Sequence, residues 1–218
     1  MVESLLVLVL VTNQQNDKAK QIYDSMIETY RSCQTYSDTG SLISGEDKLT
    51  FVTHFNRPTK FYFEFTEQTG DKNRFVLWCP GSAQPGTGAF LETHTWDTGD
   101  RKTKSKILGS AVAGFTGISS GAACNVPKLL LPGRISIGIL DRMTDLVFVK
   151  TESIRNEPCE VIFSDIQDTK LWISQKSHLI LRIEEKLGNI NEVSEYFPSI
   201  NGKVPDSKFI FTPPTLIN

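Results

Sequence analysis

Residues 51–65 read Phe51-Val52-Thr53-His54-Phe55-Asn56-Arg57-Pro58-Thr59-Lys60-Phe61-Tyr62-Phe63-Glu64-Phe65. In an extended chain, residues two apart share a face. Phe51, Thr53 and Phe55 therefore line one side of a first strand, and Phe61, Phe63 and Phe65 line one side of a second. Between them stands Asn56-Arg57-Pro58, where proline supplies a preset turn angle and no amide donor. The stretch predicts an antiparallel hairpin with one face covered by phenylalanine.

The same alternation continues on both sides of the hairpin. Upstream, Leu42 and Ser44 belong to a strand that starts near Thr35 and ends in the turn Ser44-Gly45-Glu46-Asp47. Downstream, Arg74 to Cys79 forms a strand after Thr69-Gly70-Asp71. Pro80 to Gly88 is too rich in proline and glycine for regular structure, and Phe90 to Trp96 resumes as a strand. Residues 16 to 33 change period: Ile22, Met26 and Tyr30 recur at helical spacing, with Asn16 or Asp17 able to cap the start. A second break comes at Lys106 to Ser119, a glycine-loosened amphipathic helix carrying Ile107, Leu108, Val112, Phe115 and Ile118. The apolar patch Val126 to Pro132 follows it. Five more strand-like segments close the chain: Leu146–Thr151, Cys159–Ser164, Lys170–Gln175, Leu179–Lys186 and Glu192–Phe197. The order of helix, strands, apolar helical insert and strands fits a mainly β (α+β) fold, a long antiparallel sheet curved around helices on its inner face. Nothing in the composition marks an internal boundary, so residues 16–218 read as one domain.

Composition narrows the function. With 218 residues, a net charge of −2 and 22% charged residues, the chain lacks the basic excess a nucleic-acid binder uses against phosphates. Leu5-Leu6-Val7-Leu8-Val9-Leu10-Val11 has the length of a secretory hydrophobic region, too short to span a bilayer, although Glu3 stands where a basic residue is expected. Residues 1–15 thus read as a signal segment or its remnant, the alternative being an apolar strand packed on the domain. The four cysteines, Cys33, Cys79, Cys124 and Cys159, form no C-x-x-C pair and give no zinc pattern. Their spacing suits one or two disulfides in an oxidising compartment or four buried thiols. In an exported chain, Cys124–Cys159 would be the favoured pair.

Catalytic signals are weak. Gly117-Ile118-Ser119-Ser120-Gly121 has the form G-x-S-x-G, but a nucleophile elbow needs a strand before the serine and a helix after it. Here a helix precedes the serine, and His178, its sole downstream histidine, falls at a hairpin turn. His54, His94 and His178 are scattered, and Glu184-Glu185 point to opposite faces of a strand. Neither a cofactor nor a metal is indicated. The basic cluster Arg101, Lys102, Lys104 and Lys106 reads as a solvated turn or a contact for an anionic headgroup. The phenylalanines of the early strands, with Phe75 and Trp78 beside them, favour a sheet with an unusually apolar concave face.

Taken in order, several segments resemble the LolA/LolB-like superfamily of envelope lipoprotein carriers. They are the helix with Tyr23 and Tyr30, the Phe51-x-Thr53-x-Phe55-Asn56-Arg57-Pro58-x-Lys60-Phe61 hairpin, Leu171-Trp172-Ile173, Leu179-Ile180-Leu181-Arg182-Ile183, and Phe209-Ile210-Phe211-Thr212-Pro213-Pro214. The resemblance implies an open half-barrel of about eleven antiparallel strands with helices as a lid. It implies a non-enzymatic, monomeric carrier in the periplasm or cell envelope, serving a lipid or a lipidated protein and meeting a membrane donor or acceptor. Acyl chains would lie between lid and sheet against Phe51, Phe63, Phe65, Leu108, Val112, Phe115, Ile173 and Leu181. Arg57 would latch the lid by bonding carbonyls of the Leu108–Ser120 helix in the empty state. The same fold with a permanently filled core, acting as an interaction module, is the alternative.

Overall fold

The computed structural model describes residues 2–81, 92–99 and 104–212, without the side chains of 2–13, 92, 104 and 105. Helix α1 (Val2–Ser32) leads into β1 (Thr35–Ser44), β2 (Asp47–Asn56), β3 (Lys60–Glu67), β4 (Arg74–Cys79), β5 (Glu92–Asp97) and β6 (Lys104–Ile107). Helices α2 (Leu108–Ile118) and α3 (Asn125–Leu130) interrupt the strands. The chain then returns as β7 (Leu146–Ile154), β8 (Glu157–Ser164), β9 (Thr169–Ser174), β10 (Ile180–Leu187), β11 (Ile190–Tyr196) and β12 (Ser199–Ile200), ending on a 3-10 turn at Asp206–Phe209.

Among the described residues all strands join one antiparallel sheet in the order β6-β5-β4-β3-β2-β1-β11-β10-β9-β8-β7, with β12 paired to the start of β1. Each half is a meander, as tight hairpins require. The long-range event is the pairing of β1 with β11, which sets Gly40 opposite Tyr196 and Ser44 opposite Glu192. The sheet curves without closing, and the three helices cover its concave face. This is the architecture expected from the sequence. The apolar run 5–11 forms the first part of α1 rather than a strand. No helix among the described residues is long and apolar enough to cross a membrane. A short strand, β6, occupies part of what reads as helix from Lys106. Most of the loop expected from Pro80 to Gly88, the basic residues Arg101 and Lys102, and the closing Pro213-Pro214 lie outside the described residues.

The two faces of the sheet have separate cores. On the concave side α1 contributes Ile22, Tyr23, Met26, Ile27 and Tyr30, which pack with α2, α3 and the inward residues of the strands in one cluster. The convex side carries two smaller clusters. Tyr62, Val76, Trp78 and Trp96 are sealed by Phe209 from the C-terminal segment. Cys159, Val161, Trp172 and Leu181 form the other. The four cysteines are buried and unpaired. Cys124 belongs to the concave core and Cys159 to the convex one, so the sheet itself separates the pair favoured from the sequence.

Candidate functional site at the lid and concave sheet

The register places inward side chains in rows across the sheet. Tyr36, Phe55, Phe61 and Cys79 make one row; Asp38, Thr53, Phe63 and Leu77 the next; then Gly40, Phe51, Phe65 and Phe75. Gly40 is glycine for a local reason. A Cβ there would collide with the Phe51 ring and sit 2.5 Å from the Glu195 carbonyl oxygen, so the Phe51 ring lies over bare backbone. The rings form a continuous belt. Tyr196 meets Phe51 at 5.3 Å between centroids, Phe51 meets Phe63 at 6.2 Å, and Phe63 meets Phe65 at 6.2 Å. Phe65 stacks on Phe75 at 4.5 Å, and both meet the edge of Phe115 on α2, at 5.9 and 6.3 Å. Offset and edge-on pairs of this kind add about 0.5–1.5 kcal/mol each beyond burial.

Helix α2 closes this belt with Leu108, Ala111, Val112 and Phe115. Its buried contact is apolar, and apolar contact is non-directional, so another greasy surface of similar shape can replace it. Where α2 ends, Ile118 and Ser120 face the β1–β2 and β3–β4 turns across a cleft of about 310 Å³, bordered by Leu42, Asp47, Leu49, Glu67 and Asp71. Leu42 and Leu49 also belong to the concave core, so the cleft borders the core at the end of α2.

Seven of the eight residues expected against an acyl chain, Phe51, Phe63, Phe65, Leu108, Val112, Phe115 and Ile173, lie together in the concave core. Leu181 does not. A bulge in the β9–β10 pairing between Ile180 and Arg182 breaks the alternation, leaving Ile180 and Ile183 inside and turning Leu181 to the convex cluster. Arg57 bonds helix-end carbonyls, but those of α1. Its Nε donates to the Cys33 carbonyl at 2.8 Å and its Nη2 to that of Tyr30 at 3.1 Å. The β2–β3 turn sits beside the start of β1, hence beside the end of α1, and the carbonyl end of a helix attracts a cation.

The tyrosines of α1 also act as pins. Tyr23 donates to the Leu140 carbonyl and accepts the Met143 amide, and the Tyr30 hydroxyl accepts the Ile180 amide. Ser119 is fully buried and its hydroxyl accepts the amide of Ala123. It serves as a turn cap after α2, with no strand leading into it, so the G-x-S-x-G motif is not an elbow.

Sequence reasoning missed a polar seam in this apolar face. Asp38 is 3% exposed; it accepts the Tyr36 hydroxyl at 2.7 Å and the Thr53 amide at 2.9 Å. Burial pushes its carboxyl up to about 6, against the pull of those two bonds. Toward the rim, Glu185 and Glu192 stand opposite each other on β10 and β11. Asn125 of α3 donates to Glu185 at 3.1 Å and Ser44 donates to Glu192 at 2.6 Å. Burial raises the Glu185 carboxyl, Asn125 opposes this, and the Glu192 charge adds to it. The pattern Glu192-x-Ser194-x-Tyr196 has the period of a strand, but which face turns inward depends on the β1–β11 pairing.

The chain has the LolA/LolB-like fold that its sequence resembles: an open antiparallel half-barrel with helices on the concave face. Among solved structures it is similar to LprF from Mycobacterium bovis, with a TM-score of 0.53 and 8% identity over 91% of this chain and 97% of that one. It is similar also to the Mycobacterium tuberculosis lipoprotein LppX, with a TM-score of 0.52 and 12% identity over 87% and 98% of the two chains. A third likeness is to MucB, with a TM-score of 0.51 and 9% identity over 90% of this chain, which spans 63% of that one. No family model and no curated protein matches the sequence.

Proposed function

We propose that the chain is a non-enzymatic binding or carrier protein of the cell envelope, which takes a lipid, or the acyl chain of a lipidated protein, between α2 and the concave sheet. The observation that carries this reading is the aromatic belt closed by an apolar, glycine-rich helix beside a cleft that borders the core. The likeness to LppX, itself a lipoprotein, supports it at the level of fold. A cleft of about 310 Å³ is at the low end for a ligand pocket, about 300–1,000 Å³. It serves as an entrance, and room for a long chain comes from displacing α2. Exposing Leu108, Val112 and Phe115 costs roughly 5–9 kcal/mol at about 1.5–3 per side chain. An acyl chain of about sixteen carbons recovers roughly 12 kcal/mol on leaving water. Departure from a bilayer costs a similar amount, so loading and release stay near balance, as a carrier requires.

A second reading has its own support: Phe63, Phe65 and Val112 are at most 1% exposed, a core already filled. In that reading the protein is an interaction module with a permanently closed lid. Mass spectrometry of the intact purified protein under native conditions separates the two. The carrier reading expects a bound amphiphile, or uptake of the apolar dye N-phenyl-1-naphthylamine with enhanced fluorescence. A bare protein that also takes up no dye leaves the interaction module.

A further inference from the structure

The aromatic belt ends at a polar group. The Tyr196 hydroxyl is buried, with the residue 1% exposed, and finds no partner of hydrogen-bonding geometry, although Ser194 lies close enough to influence it. A buried orphan hydroxyl is costly in a folded protein. Tyr196 sits in the field of two carboxylates, Asp38 and Glu185, and of the Tyr30 hydroxyl. Asp38 accepts the Tyr36 hydroxyl and the Thr53 amide, with the Thr53 side chain close enough to add a third bond, while a carboxylate offers about four acceptor sites. Glu185 and Glu192 extend the same polar strip to the rim. From the other end of the belt, Phe115 of the lid is reached through Phe51, Phe63 and Phe65. The interior is thus apolar along its length and acceptor-rich at one end.

We propose, resting on the carrier reading, that the Tyr196–Asp38 end of this face binds the polar end of an amphiphile, and that it selects a neutral or cationic hydrogen-bond donor, a hydroxyl or an amine, over an anionic head. Such a donor bonds a remaining acceptor site of Asp38 and gives Tyr196 Oη the partner it lacks, while the hydrocarbon follows the belt toward α2. A carboxylate or phosphate head can accept from the Tyr196 hydroxyl, but it brings no donor to the Asp38 carboxylate and meets Asp38, Glu185 and Glu192 as like charges, which keep it out.

The test is displacement of N-phenyl-1-naphthylamine by three amphiphiles of equal chain length, dodecan-1-ol, dodecylamine and laurate, at neutral pH and below their micelle thresholds. The alcohol and the amine are expected to compete about tenfold more strongly than laurate, the size of one unmade charge-assisted bond. Tyr196→Phe should weaken the alcohol and leave laurate unchanged, and Asp38→Asn should narrow the gap by strengthening laurate. Tyr196→Phe removes an unpaired hydroxyl and keeps the ring, so its melting temperature should stay level or rise, which verifies folding. Equal competition by all three, stronger binding of laurate, or an unchanged alcohol affinity in Tyr196→Phe overturns the head-group site while leaving the carrier reading intact. Failure of the dye to bind, together with a purified protein that carries no amphiphile, removes both.

Discussion

Asp38 stands on β1 among tyrosines, and its carboxyl is held near 6 because burial disfavours the charge more than Tyr36 and Thr53 support it. An acid whose folded value lies above its unfolded value makes the native state hold the extra proton between the two. Stability from this group is therefore present below about 4 and falls as pH rises to about 6, by roughly 3 kcal/mol. An asparagine in its place would carry no such dependence and can accept the Thr53 amide in the same way. Urea midpoints across that range should show Asp38→Asn gaining on the parent as pH rises and holding a constant lead above it. Parallel profiles would mean that Asp38 titrates normally. The aromatic positions of this face were legible in the sequence, because Phe51, Phe55, Phe61, Phe63 and Phe65 share a period of two. Asp38 and Glu192 were not, since polar residues on a strand read as its solvent side until pairing fixes which side that is. Leu181 failed for the opposite reason: its hydrophobicity is real, but a bulge turned it outward.

Helix α2 carries glycine at 109, 114 and 117, and each interior glycine costs about 1 kcal/mol against alanine. A Cβ at Gly117 meets nothing within 4 Å, and one at Gly114 meets only the Lys106 ammonium at 3.9 Å. Gly114→Ala combined with Gly117→Ala should stiffen α2 by about 1–2 kcal/mol without disturbing its packing. Stopped-flow dye binding is expected to slow in this variant, and the α2 amides to exchange more slowly. An unaltered uptake rate would show that α2 does not gate the interior. Helix α1 is fixed differently, by Tyr23, Tyr30 and Arg57. Arg57→Leu should cost about 2 kcal/mol, the loss of two charge-assisted bonds that leaves the Cys33 carbonyl without its donor while the Tyr30 carbonyl keeps the Cys33 thiol, and leave ligand release unchanged because Arg57 bonds α1 and not α2. Slower release with unchanged stability would return the latch to α2. The helical type of α2 and of α1 from residue 16 onward was readable from period, whereas α3 read only as an apolar patch. The latch partner was not, because two helix ends compete for Arg57 and only the placement of β1 decides between them.

The whole molecule depends on one non-local pairing, β1 with β11, which joins two meanders into a single curved sheet. Strand and turn signals in the sequence marked each meander apart from β6 and β12, and a change of period marked the helical insert between them. The join was foreseeable only through the resemblance to a known fold, since no local signal marks partners that stand roughly 150 residues apart, far beyond the reach of a hairpin turn. That join also brings Asp38 and Tyr196 to the middle of the concave face, with α1 and α3 on one side and α2 over the phenylalanines. Function on this account follows from a difference between helices: α1 is pinned by directional bonds, while α2 is held by apolar contact that a ligand can replace. Amide hydrogen exchange with and without saturating N-phenyl-1-naphthylamine tests this directly. Displacement of α2 by the dye predicts faster exchange across residues 108–118 in the complex, with residues 16–32 and strands β1 and β2 unchanged. Unchanged or slowed exchange in α2, with dye bound, would contradict it.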